Sequence, residues 1–201
     1  MSGICAVLIF TWTALSPPSP ATFRVRLETS KGSIVIEVHR DWAPRGADRF
    51  YELVEARYYD DNRFFRVRKD RWAQFGINGE PAIAKAWRER PILDDPPKES
   101  NVRGTVAFAF AAPNGRAAQV YIALTDLSAT QDVEGFVPFG RVVEGMDVAD
   151  ALNSEYGENS GSGIRAGRQQ PLFDGGNAYL DREFPRLDRL VRARVTMITT
   201  P

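Results

Sequence analysis

The residues of this chain best equipped for chemistry are one guanidinium and two carboxamides, carried on two short segments. The first segment is Phe64-Phe65-Arg66-Val67, with Gln74 eight residues beyond the arginine. The second is Gly104-Thr105-Val106-Ala107-Phe108-Ala109-Phe110-Ala111-Ala112-Pro113-Asn114, with Gln119 and Tyr121 just after it. Aromatic and small apolar residues surround the three polar groups. Nothing in either segment resembles a nucleophile or a metal ligand. A permanently charged planar donor among such neighbours suits a reaction with no covalent step.

Composition narrows the classes further. The chain has 201 residues, 43% hydrophobic and 26% charged, which fits one globular domain with a real core. Lys+Arg 26 balances Asp+Glu 26, so no global field attracts nucleic acid or anionic lipid, and neither is expected as a partner. The single cysteine, Cys5, excludes an intrachain disulfide framework and a multi-thiolate metal site. The single histidine, His39, reads as the outer end of a strand. Asp60-Asp61 and Asp94-Asp95 lack the spacing of a calcium loop. No metal or cofactor is expected. The basic residues Arg63, Arg68, Lys69 and Arg71 are diluted by Asp60, Asp61 and Asp70 and read as a solvated face.

Several elements must position the candidate groups. Phe23, Val25 and Leu27 alternate with polar residues, as do Ile34, Ile36 and Val38; with the turn Ser30-Lys31-Gly32 between them they predict a hairpin. Pro44 opens a helix with Ala47, Phe50, Tyr51 and Val54 inward and Asp48, Arg49, Glu52 and Glu55 outward. Residues 64–67 predict a strand, and 82–90 a short helix before a proline-rich stretch. Strands follow over 105–110, 119–124 and 136–143, then a second clear helix from Gly145 with Met146, Ala149 and Leu152 on one side. Residues 157–176 read as a long loop. A closing strand follows over 187–198, with Val191, Ala193 and Val195 alternating. By strand parity Phe64 and Arg66 share one face, Trp72 and Gln74 another, and Gln119 and Tyr121 a third. Many short strands and two helices predict a mainly β domain.

The N-terminus stands apart. Ile4 to Leu15 is nearly all apolar and Ser16-Pro17-Pro18-Ser19-Pro20 breaks it. The run is too short for a bilayer span, which needs roughly 20 residues. It suits the core of a secretory signal. The expectation is an export leader over 1–20, with a domain over 21–201 and no stable membrane span; a retained leader would imply a cytoplasmic chain.

In order and spacing, Thr29-Ser30-Lys31-Gly32, Ala43-Pro44, Tyr58-Tyr59-Asp60, Phe64-Phe65-Arg66, Gln74, Ala111-Ala112-Pro113-Asn114, Gln119 and Phe136-Val137-Pro138-Phe139-Gly140-Arg141-Val142-Val143-Glu144-Gly145-Met146-Asp147 resemble the cyclophilin family of peptidyl-prolyl isomerases. The resemblance covers about Phe23 to Leu152. It implies a closed antiparallel barrel of about eight strands capped by two helices, with the substrate groove on its outer face. It implies a monomer acting on proline-containing polypeptides and assisting their folding. Residue by residue it implies that Arg66 is the catalytic arginine, that Gln74 and Gln119 hold the substrate backbone, and that Tyr121, Trp72 and Phe136 line the proline pocket. Ala109 and Ala111 leave room for the peptide.

The chemistry stands beside the resemblance. Rotation about an X–Pro bond crosses a barrier of ~18–20 kcal/mol set by amide resonance. A catalyst need only favour the twisted amide, whose nitrogen is pyramidal and more basic, and a charged donor beside an apolar wall does that. Three departures from the family pattern matter: Arg71 stands where a pocket phenylalanine is usual, Phe110 where asparagine is usual, and Gln131 where an apolar residue is usual. They leave open an alternative, a catalytically weak module that binds proline-containing segments or a partner.

Overall fold

The structure is a computed structural model that describes residues 18–161 and 168–199. The strands are β1 (Thr22–Thr29), β2 (Gly32–His39), β3 (Asn62–Arg63), β4 (Arg66–Arg68), β5 (Trp72–Phe75), β6 (Thr105–Phe108), β7 (Val120–Ala123), β8 (Pro138–Glu144) and β9 (Arg189–Thr199). The helices are α1 (Pro44–Glu55), α2 (Pro81–Arg88), α3 (Met146–Asp150) and α4 (Gln170–Glu183), with a π-helical turn at Ser128–Asp132.

All nine strands form one sheet in the order β3-β9-β1-β2-β8-β6-β7-β5-β4. The pairings are antiparallel throughout. The sheet curls into a half-barrel. Among the described residues, nine strands and four α-helices stand beside the expected eight or so strands and two capping helices. Its outermost strands, β3 and β4, are successive in the chain. Phe64-Phe65 joins them covalently, and no ladder pairs them with each other among the described residues.

Period-two burial builds the concave face. Phe23, Val25 and Leu27 of β1 and Ile34, Ile36 and Val38 of β2 are fully buried, as the hairpin pattern predicts. They meet Ala47, Phe50, Leu53 and Val54 of α1, whose first turn holds Pro44. Phe50 packs on Tyr59 and Phe139 with ring centroids 5.5 and 4.9 Å apart. Ala149 and Leu152 close the same core from α3.

The expected outward set of α1 needs one correction. Arg49 is buried because its guanidinium donates to the carbonyls of Arg90 and Ala117 and pairs with Glu52. Arg63 is not on a solvated face either: at 2% exposure it is buried, its charge met by Asp181 (2.9 Å) and Asp61 (2.8 Å). Both arginines are tolerated inside because carboxylates and backbone carbonyls meet their charge.

The expected loop over 157–176 ends early, where α4 begins at Gln170. Gly176 (φ 53°, ψ −146°) kinks α4 where its backbone meets Gly79, and Asn177 N–H donates to the Gly79 carbonyl (3.0 Å). Leu172, Phe173 and Leu180 of α4 form a second apolar cluster with Phe65, Ile77, Ala84 and Leu187. The closing strand β9 is where the sequence predicts, but its parity shifts. A bulge opposite Glu28/Thr29 puts Leu190 and Ala193 inside and leaves Val191 exposed. The expected leader lies almost wholly outside the described residues. Ser19, within that span, is buried and bonds Asp48 of α1 through both its N–H and its hydroxyl (2.8 Å each). Among the described residues no helix is long and apolar enough to cross a membrane.

Candidate functional site

On the convex face of the sheet, three strands set polar groups in a row. Arg66 of β4 pairs with Gln74 of β5, and Gln74 pairs with Tyr121 of β7. Their strand neighbours Val67, Ala73 and Ile122 point the other way, into the core. The alternation that buries one set therefore presents the other. Phe64 breaks the expected parity with Arg66: the chain leaves the ladder at Phe64-Phe65, and Phe64 turns into the main core against Phe75 (5.2 Å).

Arg66, Trp72, Gln74, Ala109, Gln119, Tyr121 and Phe136 line one hollow of ≈ 80 Å³, so seven of the eight residues expected at the site come together. Ala111 is not among the lining residues, because the chain leaves β6 after Phe108 and turns away beyond Phe110. Phe110 and Gln131, two of the three departures noted above, also line it. Arg71 does not: its guanidinium lies 4.8 Å from the Trp72 ring centroid and donates to the Thr130 hydroxyl. Trp72 thus takes the wall position that Arg71 vacates.

The polar groups form a continuous relay. Arg66 Nη1 donates to Gln74 Oε1 (3.1 Å), Gln74 Nε2 to Gln119 Oε1 (2.8 Å), and Gln119 Nε2 to Gln169 Oε1 (2.9 Å). Gln169 in turn reaches the Gly161 carbonyl (3.4 Å). The three glutamines are buried, so each amide is held in one orientation. Arg66 also lies 4.6 Å from the Trp72 ring centroid, in cation–π range. Its remaining partner is Glu158, which binds Nε and Nη2 at 2.9 and 3.0 Å. Neither Gln169 nor Glu158 carried a signal in the sequence; both fall in the stretch read as loop.

The aromatic wall is tied down from behind. Tyr121 meets Phe136 edge-on (5.6 Å), and Phe136 packs on Phe110 (4.5 Å). The Tyr121 hydroxyl donates to Asn101 Oδ1 (2.6 Å), and Asn101 Nδ2 donates to Asp132 (2.7 Å) and the Phe136 carbonyl (2.8 Å). Burial pushes the Tyr121 phenol well above its ordinary value, so it is a neutral donor. A second hollow of ≈ 190 Å³ shares Ala109 and Gln119 with the first and runs toward Phe173 and Arg88. The arrangement is an elongated groove with one fixed cation, a row of carboxamides and an aromatic seat.

Such a groove on a curled antiparallel sheet offers hydrogen-bonding carboxamides and an aromatic seat side by side. Residues 24–170 match the model of the cyclophilin-type peptidyl-prolyl cis-trans isomerase family, and the chain belongs to that family. It is similar to a peptidyl-prolyl cis-trans isomerase-like 4 of Cryptococcus neoformans, 31% identical over 155 residues, covering 68% of this chain and 31% of the fungal protein. The chain therefore spans about a third of that relative's length. It is 31% identical over 162 residues to a bacterial relative, peptidyl-prolyl cis-trans isomerase A of Dickeya dadantii, covering 77% of this chain and 85% of that protein. Among solved structures, a cyclophilin-type isomerase of Cryptosporidium parvum superposes with a TM-score of 0.63 at 17% identity, over 89% of this chain and 99% of that one.

Proposed function

We propose that this chain is a peptidyl-prolyl cis-trans isomerase that acts on X–Pro bonds of unfolded or flexible polypeptides and assists their folding. The observation that carries the reading is Arg66, held by Gln74 beside an aromatic hollow. The proline ring seats against Tyr121, Trp72 and Phe136. The peptide backbone runs along Gln74 and Gln119, past Ala109. As the amide twists, its nitrogen gains basicity, and the Arg66 guanidinium stabilises that state more than the planar one. The aromatic wall excludes water and strengthens the interaction. No bond is broken and no proton is transferred. The adjoining hollow beyond Ala109 takes a neighbouring side chain of the same peptide.

The same reading takes the chain as a monomer with one domain over 21–201, in which the Phe64-Phe65 joint completes a closed barrel. It takes residues 1–20 as an export leader, which N-terminal sequencing of the exported protein checks. The test of activity is NMR exchange spectroscopy on a short proline peptide. Wild type accelerates exchange, and Arg66→Ala loses about 10²–10³-fold, the cost of one preorganised charged donor. Equal rates with and without Arg66 refute it. A second reading, a module that binds without efficient turnover, is favoured by the Gln131 carboxamide in the wall. It expects peptide binding at wild-type Arg66 with no accelerated exchange.

A further inference from the structure

We propose that Glu158 is a positioning residue for Arg66, an inference that rests on the isomerase reading above. Glu158 lies in the turn region between α3 and α4, far in sequence from β4. Its carboxylate grips the Nε–Nη2 edge of the guanidinium in a bidentate pair, 2.9 and 3.0 Å. This fork geometry fixes a plane as well as a distance. Gln74 takes one N–H of Nη1 (3.1 Å), and the Trp72 ring lies 4.6 Å from the guanidinium carbon. A guanidinium has five N–H bonds. Three are engaged here, which leaves one on each terminal nitrogen for a substrate.

The carboxylate is itself anchored on the stretch it serves. Ser160 donates its hydroxyl proton to the carbonyl of Phe65, the residue before Arg66 (2.6 Å). The Gly161 carbonyl accepts from Gln169 (3.4 Å), the end of the relay that begins at Arg66. Residues 158–161 therefore bind the site at both ends: by a carboxylate on the guanidinium and by the glutamine chain on the groove floor. Arg68 Nη1 lies 3.5 Å from the same carboxylate and draws it toward the β4 edge.

A partly exposed ion pair adds little to stability, because water screens it and holding two long side chains costs entropy. Glu158 is 34% exposed, so its effect belongs in orientation rather than in folding. Without it, Arg66 keeps only one carboxamide and a ring face, and its terminal nitrogens lose their fixed direction toward the hollow. Misplacement of a donor by a fraction of an ångström is felt directly in turnover.

The test is exchange spectroscopy on a proline peptide with full-length wild type, Glu158→Ala, Glu158→Gln, Arg66→Lys and the Arg66→Lys/Glu158→Ala double variant, with the melting temperature of each. Glu158→Ala is expected to lose roughly tenfold in kcat, comparable to one charge-assisted hydrogen bond, with KM within about twofold. Glu158→Gln keeps one acceptor and falls between. Once Arg66 is lysine, the bidentate pair is gone, so Glu158→Ala adds little further loss. Melting temperatures stay close to wild type, and the near-isosteric Glu158→Gln carries the test if the alanine variant folds poorly. An active wild type with Glu158 variants of equal or higher kcat overturns the inference alone, as do losses that simply multiply in the double variant. A wild type without turnover overturns the isomerase reading and this inference with it.

Discussion

Removing the middle of the carboxamide relay tests whether the site is as rigid as its geometry implies. Gln119→Leu keeps the volume and deletes both hydrogen-bonding ends. Gln74 Nε2 loses its acceptor at 2.8 Å and Gln169 Oε1 its donor at 2.9 Å, and both residues are 3% exposed. Each lost bond is worth about 0.5–1.5 kcal/mol net, and a partner left dry costs about 1–3 kcal/mol. Water can enter the hollow and satisfy part of that demand, so the lower figure applies and the sum is about 1–3 kcal/mol. For a domain of this size each kcal/mol lowers the melting temperature by about 2–4 °C. The expected fall is therefore roughly 2–12 °C by calorimetry, with a matching shift of the urea midpoint at constant m-value. Gln74 is also freed to rotate, so Arg66 loses its Nη1 partner and peptide exchange slows. Gln119→Leu/Gln169→Leu removes the acceptor orphaned at Gln169 and is expected to cost less than the two single changes summed. A Gln119→Leu protein that melts and turns over like wild type would show that the relay is not a coupled unit.

Two further outcomes follow from features away from the relay. Gly145 sits at φ 84° at the start of α3, and a Cβ there would come within 2.2 Å of the Ser33 carbonyl oxygen. Gly145→Ala is thus expected to destabilise by more than the ~1–3 kcal/mol of left-handed strain alone, seen as a lowered urea midpoint; an unchanged midpoint would contradict the β2–β8 packing. Burial raises the Asp132 carboxyl pKa, but hydrogen bonds from Ser100 and Asn101 outweigh it and hold the group below its ordinary range. A depressed folded-state pKa gives stability that is present above the unfolded value of about 3.9 and is lost as pH falls through the folded one. The loop that carries Phe136 is therefore expected to loosen below about pH 4, with a smaller pH effect in Asp132→Asn. Identical melting at neutral pH and at pH 3 in both proteins would count against this.

The parts legible in the sequence are those governed by short-range periodicity. The β1–β2 hairpin follows from its alternating apolar residues and Gly32, and α1 from Pro44 and its apolar stripe. Arg66, Gln74, Gln119 and Tyr121 fall together because adjacent strands of regular pitch keep alternate residues on one face. What was hidden depends on distant partners. Arg49 and Arg63 look solvent-facing until carbonyls at 90 and 117 and the Asp181 carboxylate neutralise them. α4 was masked by Pro171, Gly175 and Gly176, and the last glycine does mark a kink. Phe64 and Val191 defeated parity for one reason: a joint or a bulge interrupts the ladder, and face assignment slips by one residue.

The order of strands in the sheet has a kinetic consequence. β9 lies between β1 and β3, pairing along most of its length with a strand far away in sequence. No earlier strand can fill that place, so during synthesis the emerging sheet keeps one long edge of β1 bare until β9 is released from the ribosome. Pairings of such sequence separation are slow to nucleate because the intervening loop must close first. The nascent chain is thus most vulnerable to aggregation until β9 emerges, and for that interval it is itself a client for a chaperone.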